Sequence, residues 1–330
     1  MLSRCMTYKL LDGAVAAHGC LAPSRCMTYK LLYTLLCGKD DLLLPLLKTE
    51  QLTHTYSIDT PFEHIAICDV DFEVEKGEYL GIIGHTGSGK STFIQHLNGL
   101  LKPTSGRVYF NGADIHESKL QTRNIRFKVG LVFQYPEYQL FENTVFDDIA
   151  FGPKNMGLSE GEVSERVIEA AGFALLDDAL LKKSPFELSG GQKRRAAIAG
   201  VIAMRPEVLI LDEPTAGLDP RGRAEIIGNI MNYKHAHDAT IIMVTHSMEE
   251  IARNVDRIVI FEEGRIVMEG APGSIFSDSE RLLAMGLSAP KAALVAQRLH
   301  AMGLPIKRDI YTIPQLRQAI NDLKGGGKGA

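Results

Sequence analysis

The stretch that decides the fold is GHTGSGKST, residues 84–92, which fits the pattern G-x-x-x-x-G-K-[ST]. It follows EYLGIIG (78–84), an apolar run typical of a strand buried on both faces, and precedes STFIQHLNGL, which has helical spacing. Glycines let such a loop wrap so that its N–H groups point at phosphate oxygens, and the helix N-terminus adds its dipole. We expect Lys90 to reach the β- and γ-phosphates and the Ser91 hydroxyl to ligate Mg²⁺. A chance glycine turn is a poor alternative in this strand–loop–helix context.

A second motif supplies acidic groups. VLILDE, residues 208–213, places Asp212 at the carboxyl end of another buried strand, where its carboxylate can hold Mg²⁺ directly or through water. Glu213 is then positioned to polarise a water for attack on the γ-phosphate. Taken alone, this segment could be a strand that ends in surface acids. Beside a phosphate-binding loop, that interpretation is the weaker one.

The remaining patterns predict an α/β protein. LKTEQLTHTYS and IAICDVDFEV alternate as two antiparallel strands. VGLVF (129–133) and TIIMVT (240–245) are apolar runs of the kind a parallel sheet requires, and RIVIFEEGRIVMEG is typical of a terminal hairpin. Residues 159–182 have helical spacing and begin with a capping-box pattern. After Gly273 we expect a small helical region that ends in the flexible GGGKGA.

Composition narrows the classes of function. The net charge of −4 over 330 residues gives no general attraction for nucleic acid or for an anionic membrane surface. No stretch approaches the roughly 20 apolar residues that span a bilayer, so any membrane role would need a separate subunit. Among the five cysteines there is no C-x-x-C pair, which indicates reduced cytosolic thiols rather than a disulfide framework.

Residues 1–47 differ from the rest. SRCMTYKLL occurs at 3–11 and again at 24–32, without the turn chemistry or third copy of a repeat protein. We interpret this segment as an atypical extension that is disordered or reflects a mis-assigned start, with a functional leader as the alternative. A signal peptide fits poorly, because Lys and Asp residues interrupt any apolar centre.

LSGGQ, residues 188–192, followed by KRRAAIAGVIA, resembles the signature motif of ATP-binding cassette (ABC) ATPases. All motifs of that family occur in order within residues 48–275. The resemblance implies a P-loop ATPase with a RecA-like parallel core sheet, an antiparallel β subdomain and a helical signature subdomain at about 135–200. It also implies ATP and Mg²⁺ as ligands, and a small helical C-terminal dimerisation extension at 276–330.

The resemblance assigns roles to individual residues. Glu213 matches the catalytic glutamate, His246 the switch histidine, and Gln134 the loop glutamine that meets Mg²⁺ and the attacking water. The residues matched to the metal site are Ser91, Gln134 and Asp212. Those matched to ATP binding are the adenine-stacking Tyr56 and the loop residues Gly84, His85, Thr86, Gly87, Ser88, Gly89, Lys90, Ser91 and Thr92. Those matched to the contact with a partner subunit's nucleotide are Ser189, Gly190, Gly191 and Gln192 of the signature, with Asp219 of the D-loop at the dimer seam.

Residue chemistry also favours a dimer. A Ser-Gly-Gly turn at a helix start is a second anion-binding N-terminus, yet one triphosphate needs only one such cradle per chain. A head-to-tail dimer with each ATP between two cradles explains both. A generic helix cap is the alternative for LSGGQ, and it leaves the order of the other motifs unexplained.

ABC ATPases include transporter subunits and soluble enzymes that act on DNA or ribosomes. DNA-repair members place a long coiled coil between the phosphate loop and the signature, but no heptad run separates Lys90 from Ser189 here. Ribosome-acting members usually carry two cassettes, and the acidic balance disfavours a nucleic-acid partner. We therefore favour a transporter subunit with no nucleic-acid partner. A soluble ABC ATPase and another class of ABC importer stay open as alternatives.

The segment VFQYPEYQLFENTVFDDIAFGPKNMGLS resembles the energy-coupling-factor (ECF) and cobalt/nickel importer ATPases. In that family the residues after the loop glutamine form a groove for an arginine-bearing coupling helix of a transmembrane subunit. The resemblance places Glu137, Tyr138 and Phe141 in this groove. The acids Glu137, Asp147 and Asp148 would suit the arginine, and a solvated acidic loop is the alternative.

The same resemblance implies three partners and a location. The partners are a second ATPase subunit, a transmembrane coupling subunit and a membrane subunit that binds a vitamin, Co²⁺ or Ni²⁺. YPEYQLF favours the second (A-prime) ATPase type, which pairs with a paralogue. The chain would lie peripherally on the cytoplasmic face of the cell membrane. In the C-terminal extension, Ala293, Val295, Leu299 and Leu304 would form the packing face of a helix pair, with a self-packed appendage as the alternative.

Overall fold

The computed structural model describes residues 44–326. The predicted N-terminal extension, residues 1–47, therefore lies almost entirely outside the described residues, as do the last four residues of the predicted Gly-rich tail.

The described part of the chain contains ten strands and twelve α-helices. The strands are β1 (Leu47–Tyr56), β2 (His64–Val74), β3 (Tyr79–Gly84), β4 (Ser105–Phe110), β5 (Ala113–Asp114), β6 (Val129–Val132), β7 (Val208–Asp212), β8 (Thr240–Val244), β9 (Arg257–Glu262) and β10 (Arg265–Gly270). The α-helices are α1 (Lys90–Leu97), α2 (Lys119–Lys128), α3 (Val145–Asn155), α4 (Glu160–Phe173), α5 (Asp178–Leu181), α6 (Gly190–Ile202), α7 (Pro220–His237), α8 (Met248–Asn254), α9 (Pro272–Ser277), α10 (Ser279–Ala284), α11 (Lys291–Ala301) and α12 (Ile313–Gly326). Short 3₁₀ helices occupy Pro136–Gln139 and Pro185–Glu187.

The strands form two sheets. One has the order β2-β1-β4-β5 and is antiparallel throughout. The other has the order β10-β9-β3-β8-β7-β6, in which all neighbours are parallel except the β9–β10 hairpin. The predicted antiparallel strands, parallel strands and terminal hairpin are thus confirmed, and the α/β class with them.

The parallel sheet is buried on both faces, as its unbroken apolar strands predict. Alternate residues of β3 supply two different cores: Tyr79 and Ile83 pack among the helices, while Leu80 and Ile82 pack towards the antiparallel sheet. In β7, Leu209 and Leu211 likewise join the first core and Val208 and Ile210 the second. This two-sided burial fixes the register, because a slip by one residue would exchange the two sets.

Strand register brings the motifs to one edge of the sheet. Asp212, the last residue of β7, pairs with Val244 of β8, and Val244 pairs with Ile82 of β3. The carboxyl ends of these three strands therefore release the glycine-rich loop, the acidic pair and the segment containing His246 side by side. Ligands of open α/β sheets bind at this edge.

The helices start and end as their sequences indicate. Helix α4 begins with the predicted capping box, in which the Ser159 hydroxyl accepts from the Glu162 N–H and the Glu162 carboxylate accepts from the Ser159 N–H. The region after Gly273 is helical, as expected. None of the helices in the described range is both long and apolar enough to cross a membrane.

The predicted packing face in the C-terminal extension is wrong, because its four residues do not share one surface of the chain. Ala293 is buried in the core that contains the parallel sheet, whereas Leu299 packs on a separate small cluster around Ala296. Val295 and Leu304 are exposed. The chain turns at Gly303, between α11 and the residues that follow, so these four positions do not lie on one continuous helical face.

Gly81 lies where β3 meets helix α8, and replacement by valine should destabilise the fold. A Cβ at this position would come within 2.5 Å of the Ile251 Cδ1 atom and 3.2 Å of the Val255 Cγ1 atom. Overpacking of this kind costs about 1–3 kcal/mol. We expect Gly81→Val to lower the urea midpoint accordingly. Gly161→Ala is the control: no atom lies within 4 Å of the added Cβ in α4, so this change should stabilise the chain by roughly 0.5–1 kcal/mol. Equal midpoints for the two variants would contradict the packing argument.

Candidate functional site

A cavity of about 320 Å³ opens at this edge of the sheet. The predicted site residues that line it are Tyr56, Thr86, Gly87, Gly89, Lys90, Ser91, Thr92, Gln134, Asp212, Glu213 and His246. Of the other predicted loop residues, Gly84 and Ser88 are buried behind this surface. His85 is exposed, and its Nε2 atom contacts the Met285 carbonyl oxygen outside the cavity lining. The cavity also has a wall that the sequence did not indicate, formed by His64, Ala66 and Val244.

The glycine-rich loop wraps around its own lysine. The Lys90 ammonium donates to the carbonyl oxygens of Gly84 and His85, at 2.7 and 2.6 Å, and lies 3.3 Å from the Ser88 hydroxyl. Gly89 has φ +100°, and a Cβ there would lie 2.5 Å from the Ala66 carbonyl oxygen. Only glycine fits that position without displacing backbone. The N-terminus of α1 consequently opens directly into the cavity, as an anion site requires.

The acidic pair is buried beside this lysine. The Ser91 hydroxyl donates to Asp212 Oδ2 at 3.1 Å, joining the two predicted metal ligands. Burial raises the pKa of Asp212, and it lowers the pKa of Lys90 against the opposing charges of Asp212 and Glu213. Burial first, and the charge of Asp212 second, raise the pKa of Glu213 to about 7. Such a carboxylate is poised to accept a proton near neutral pH.

Glu213 and His246 are direct neighbours in the lining of the cavity. The His246 Nε2 atom lies 3.4 Å from Glu213 Oε1, and this oxygen is buried without a hydrogen-bond partner. Burial and the positive charge of Lys90 lower the pKa of His246, which favours a neutral imidazole. Glu213 also has the left-handed φ of +50°, and its N–H donates to the Val244 carbonyl at 2.9 Å. An unpaired buried oxygen in a strained backbone position is typical of a functional site.

Tyr56 and Gln134 stand at the rim of the cavity. The Tyr56 hydroxyl lies 3.3 Å from the Thr92 hydroxyl, and His54 packs edge-on against the Tyr56 ring. The tyrosine is 39% exposed, so part of its ring remains accessible to a stacking base. Gln134 is exposed just after β6, on the path to the 3₁₀ helix Pro136–Gln139.

The signature and D-loop residues lie elsewhere on the described surface. Ser189 and Gln192 form a reciprocal capping box at the start of α6. Gly190 and Gly191 are exposed there, with open space where a Cβ would be. Asp219 caps α7 by accepting from the Gly222 N–H at 2.7 Å. Among the described residues, none of the signature positions lines the cavity. The start of α6 is therefore an exposed helix N-terminus that lies apart from the cavity lining.

The predicted coupling groove is an exposed aromatic patch. Tyr138 is 85% exposed and Phe141 60% exposed, and Phe141 packs edge-on against Phe151 at 5.0 Å between ring centres. Contiguous exposed aromatics of this kind mark interaction surfaces. Tyr135 lies 6.4 Å from the Tyr138 ring and extends the patch towards Gln134.

The electrostatic part of the groove prediction is wrong for Glu137. Both of its carboxylate oxygens accept from the Arg194 guanidinium of the same chain, so they are not free for an incoming arginine. Asp147 is paired with Lys154 at 2.9 Å, and Asp148 accepts from the N–H groups of Phe141 and Glu142. These acids shape the loop from within.

Two residues near the site had no signal in the sequence. Glu250, in α8, accepts from the Thr215 hydroxyl at 3.0 Å, and its charge contributes to the raised pKa of Glu213. Arg194 contacts Glu137, 57 positions earlier, and Ala216, 22 positions later. Only its place two residues beyond the signature could have drawn attention to it.

Known proteins are similar to this chain in both sequence and structure. The family profile described as ABC transporter matches residues 67–216. The energy-coupling factor transporter ATP-binding protein EcfA2 of Caldanaerobacter subterraneus subsp. tengcongensis is 52% identical over 274 residues, covering 83% of this chain and 96% of that protein. EcfA2 of Clostridium tetani is 52% identical over 275 residues, with the same shares of each chain covered.

Solved structures give the same result. CbiO1 from Clostridium perfringens, part of the ABC transporter complex cbiONQ, superimposes with a TM-score of 0.65 at 38% identity, covering 79% of this chain and 99% of that one. The ATP-binding cassette MJ0796, solved as a dimer in a post-hydrolysis state with ADP and Pi, gives 0.62 at 28% identity, covering 68% and 98%.

Replacing Glu213 by glutamine should stabilise the nucleotide-free chain at alkaline pH. The raised pKa of Glu213 means that the folded chain retains a proton that the unfolded chain releases between about pH 4.5 and 7. Stability from this group is therefore present below pH 4.5 and is lost as the pH rises to 7. At about 1.4 kcal/mol per pKa unit, a pKa raised from 4.5 to about 7 makes the loss at most about 3.5 kcal/mol.

Thermal unfolding of wild type and Glu213→Gln at pH 5 and pH 8 measures this effect. We expect the variant's gain in Tm to be larger at pH 8. The exposed Glu117→Gln is the control and should shift Tm little at either pH. A Glu213→Gln gain that is equal at both pH values would show that proton release from Glu213 does not limit stability.

Proposed function

The chain belongs to the family of energy-coupling factor transporter ATP-binding proteins, and we propose that its own residues bind ATP, hydrolyse it and pass the resulting motion to membrane subunits. It is an ABC-type ATPase, and its relatives include ATP-binding proteins of energy-coupling factor transporters and a part of an ABC transporter complex. One observation carries the proposal. Glu213, whose buried Oε1 has no hydrogen-bond partner, lines the same cavity as Lys90 and Asp212.

ATP binding would use the loop and the tyrosine rim. The N–H groups at the start of α1 and the Lys90 ammonium suit a triphosphate, because both are positive and both are partly withdrawn from water. Tyr56, half exposed beside Thr92, suits stacking on adenine. The glycines of the loop allow the phosphates to approach the backbone closely.

The residues present fit a magnesium ion. Ser91 and Asp212 contribute oxygen atoms that already lie 3.1 Å apart, and Gln134 offers a carbonyl oxygen at the rim of the same cavity. Mg²⁺ prefers such oxygen ligands and keeps part of its water shell. We propose that these three residues hold it. Bound there, the ion would neutralise phosphate charge, which would favour the ionised form of the buried Asp212.

Hydrolysis would depend on Glu213 and His246. The Glu213 carboxylate accepts a proton from the attacking water, since it lines the cavity and its pKa of about 7 suits a general base. The neutral His246 imidazole, 3.4 Å away, holds Glu213 and the γ-phosphate in a fixed relation. The bond between the γ-phosphorus and the oxygen that bridges it to the β-phosphate breaks as the water oxygen bonds to the γ-phosphorus. The bridging oxygen keeps the electron pair and leaves as part of ADP.

The second anion surface indicates a dimer. Ser189, Gly190, Gly191 and Gln192 would contact the γ-phosphate on a second ATPase subunit, with Asp219 near the seam. This arrangement fits the exposed N-terminus of α6, which is otherwise unused. We propose a paralogue as the second subunit, because YPEYQLF resembles the second ECF ATPase type. Loss of the γ-phosphate would then remove the contact between the subunits.

The aromatic patch would receive a transmembrane coupling subunit. Tyr138 and Phe141 are exposed and lie a few residues after Gln134, so nucleotide-dependent movement of Gln134 would reach them directly. A further membrane subunit would bind the substrate, which we propose to be a vitamin or a transition-metal ion. The chain would therefore work peripherally, at the cytoplasmic face of the membrane.

Glu213→Gln should abolish hydrolysis while leaving ATP binding intact. Glutamine keeps the shape of the side chain and cannot accept the proton, so kcat should fall about 10²-fold or more with little change in ATP affinity. Steady-state phosphate release and ATP binding by calorimetry measure the two quantities. The ATP-bound dimer should also persist on size-exclusion chromatography.

Glu117→Gln is the matched control. The Glu117 side chain is exposed, lies just before α2 and does not line the cavity. Normal hydrolysis by Glu213→Gln would refute the catalytic assignment. Loss of ATP affinity in that variant would refute the division of labour between Glu213 and the loop.

Tyr138→Ala combined with Phe141→Ala should uncouple the subunit from its membrane partner. Both side chains are exposed, so their removal should leave Tm and the ATP hydrolysis of the ATPase dimer within about twofold of wild type. Co-purification with the membrane subunits should fall about tenfold or more, because exposed aromatics anchor interfaces. Ile168→Ala, an exposed apolar side chain on α4, is the control. Full assembly of the double variant would remove the patch from the proposed interface.

A further inference from the structure

Arg194 joins three segments of the chain that are distant in sequence. Its Nε and Nη2 atoms donate to the two carboxylate oxygens of Glu137, at 3.1 and 2.9 Å. Its Nη1 atom donates to the carbonyl oxygen of Ala216. The arginine side chain is 4% exposed and the glutamate 17% exposed. A planar guanidinium can make these contacts together because its donors form a rigid fork.

Each segment that Arg194 contacts has a part in the proposed reaction. Glu137 lies in the 3₁₀ helix between Gln134 and the aromatic patch. Arg194 itself is in the first turn and a half of α6, immediately after the signature. Ala216 is in the turn that begins at Glu213, and the Ala216 N–H donates back to the Glu213 carbonyl at 3.2 Å. The guanidinium therefore connects the membrane-facing loop, residues 134–141, to the backbone that carries Glu213, the proposed general base.

We propose that Arg194 is a positioning residue that holds the Glu213 turn in register with the membrane-facing loop. This inference rests on the proposed function, and it adds the path by which docking sets catalytic geometry. Displacement of the 3₁₀ helix moves Glu137, and the two charge-assisted bonds carry Arg194 with it. The bond to Ala216 then shifts the turn on which Glu213 sits. Arg194 does not line the cavity, so it acts through Glu213.

A merely structural ion pair offers the comparison. Arg205, just beyond the other end of α6, contacts Glu169 of α4 through its Nε at 2.7 Å. This pair is about one-third exposed on each side and ties α4 to the segment after α6. It reaches no segment that borders the cavity. Arg205 and Arg194 thus share residue type and partner type, and they differ in what they connect.

The test uses the complete transporter, with both ATPase subunits and the membrane subunits reconstituted in vesicles. The variants are Glu137→Gln, Arg194→Gln, the double variant and Arg194→Lys. We expect kcat for ATP to fall about tenfold or more in both single Gln variants, with KM within about threefold. The double variant should be no slower than Arg194→Gln, because the two residues act as one unit. Arg205→Gln, the control, should keep kcat within about twofold of wild type.

Arg194→Lys keeps the buried charge and should fold even where Arg194→Gln does not. A single ammonium cannot reproduce the fork, so kcat should still fall about threefold or more while Tm stays near that of the wild type. A kcat for Arg194→Lys equal to that of Arg205→Gln would overturn the inference, and so would independent, multiplying losses in the double variant. Absence of ATP hydrolysis in the unaltered transporter would instead refute the proposed function, and this inference with it.

Discussion

The cavity depends on opposite charges held together in a dry place. Lys90 faces Asp212 and Glu213 at the edge of a sheet that is buried on both faces, so each charge loses water that it would keep on the surface. The resulting shifts in pKa run in opposite directions: the lysine favours its neutral form more than usual, and the acids favour their protonated forms. A triphosphate with a divalent cation supplies the counter-charges that such a site lacks. The fold thereby creates a site whose buried charges are balanced when its ligand is bound.

The layout of the parallel sheet also explains why the proposed dimer needs two anion surfaces on each chain. Parallel strands release their loops at one edge, and that edge has room for the phosphate loop, the acidic pair and His246. The signature at the start of α6 lies on another surface of the helical region. A second chain in the proposed dimer brings the two together, so hydrolysis becomes conditional on assembly. In that dimer ATP itself would be part of the contact between the subunits, so ATP binding would stabilise the assembly.

Much of this site could be predicted from sequence because its parts are local. The phosphate loop, the Asp212–Glu213 pair and the capping box at Ser189 each lie within a few consecutive residues, and each is recognisable by residue type and flanking pattern. Contacts between distant segments are different. The pairing of Glu137 with Arg194 depends on how the 3₁₀ helix lies against α6, which no local pattern encodes. For this reason the acids after Gln134 were expected to face a partner, whereas Glu137 faces the interior.

Backbone strain marks the two points where these local and distant constraints meet. Tyr135 and Glu213 have φ of +56° and +50°, and each precedes a proline, which disfavours helical backbone at the residue before it. Left-handed conformations in such residues cost of order 1–3 kcal/mol each and persist only where the surroundings enforce them. For Glu213 the enforcing contacts are the bond of its N–H to Val244 and the turn closed by Ala216. Tyr135 is held by the Tyr138 N–H, which donates to its carbonyl. Tertiary contacts thus set the geometry at both points against local preference. Because Arg194 bonds to Glu137 and to Ala216, two positions after Tyr135 and three after Glu213, the strain at Tyr135 and the strain at Glu213 belong to one connected structure.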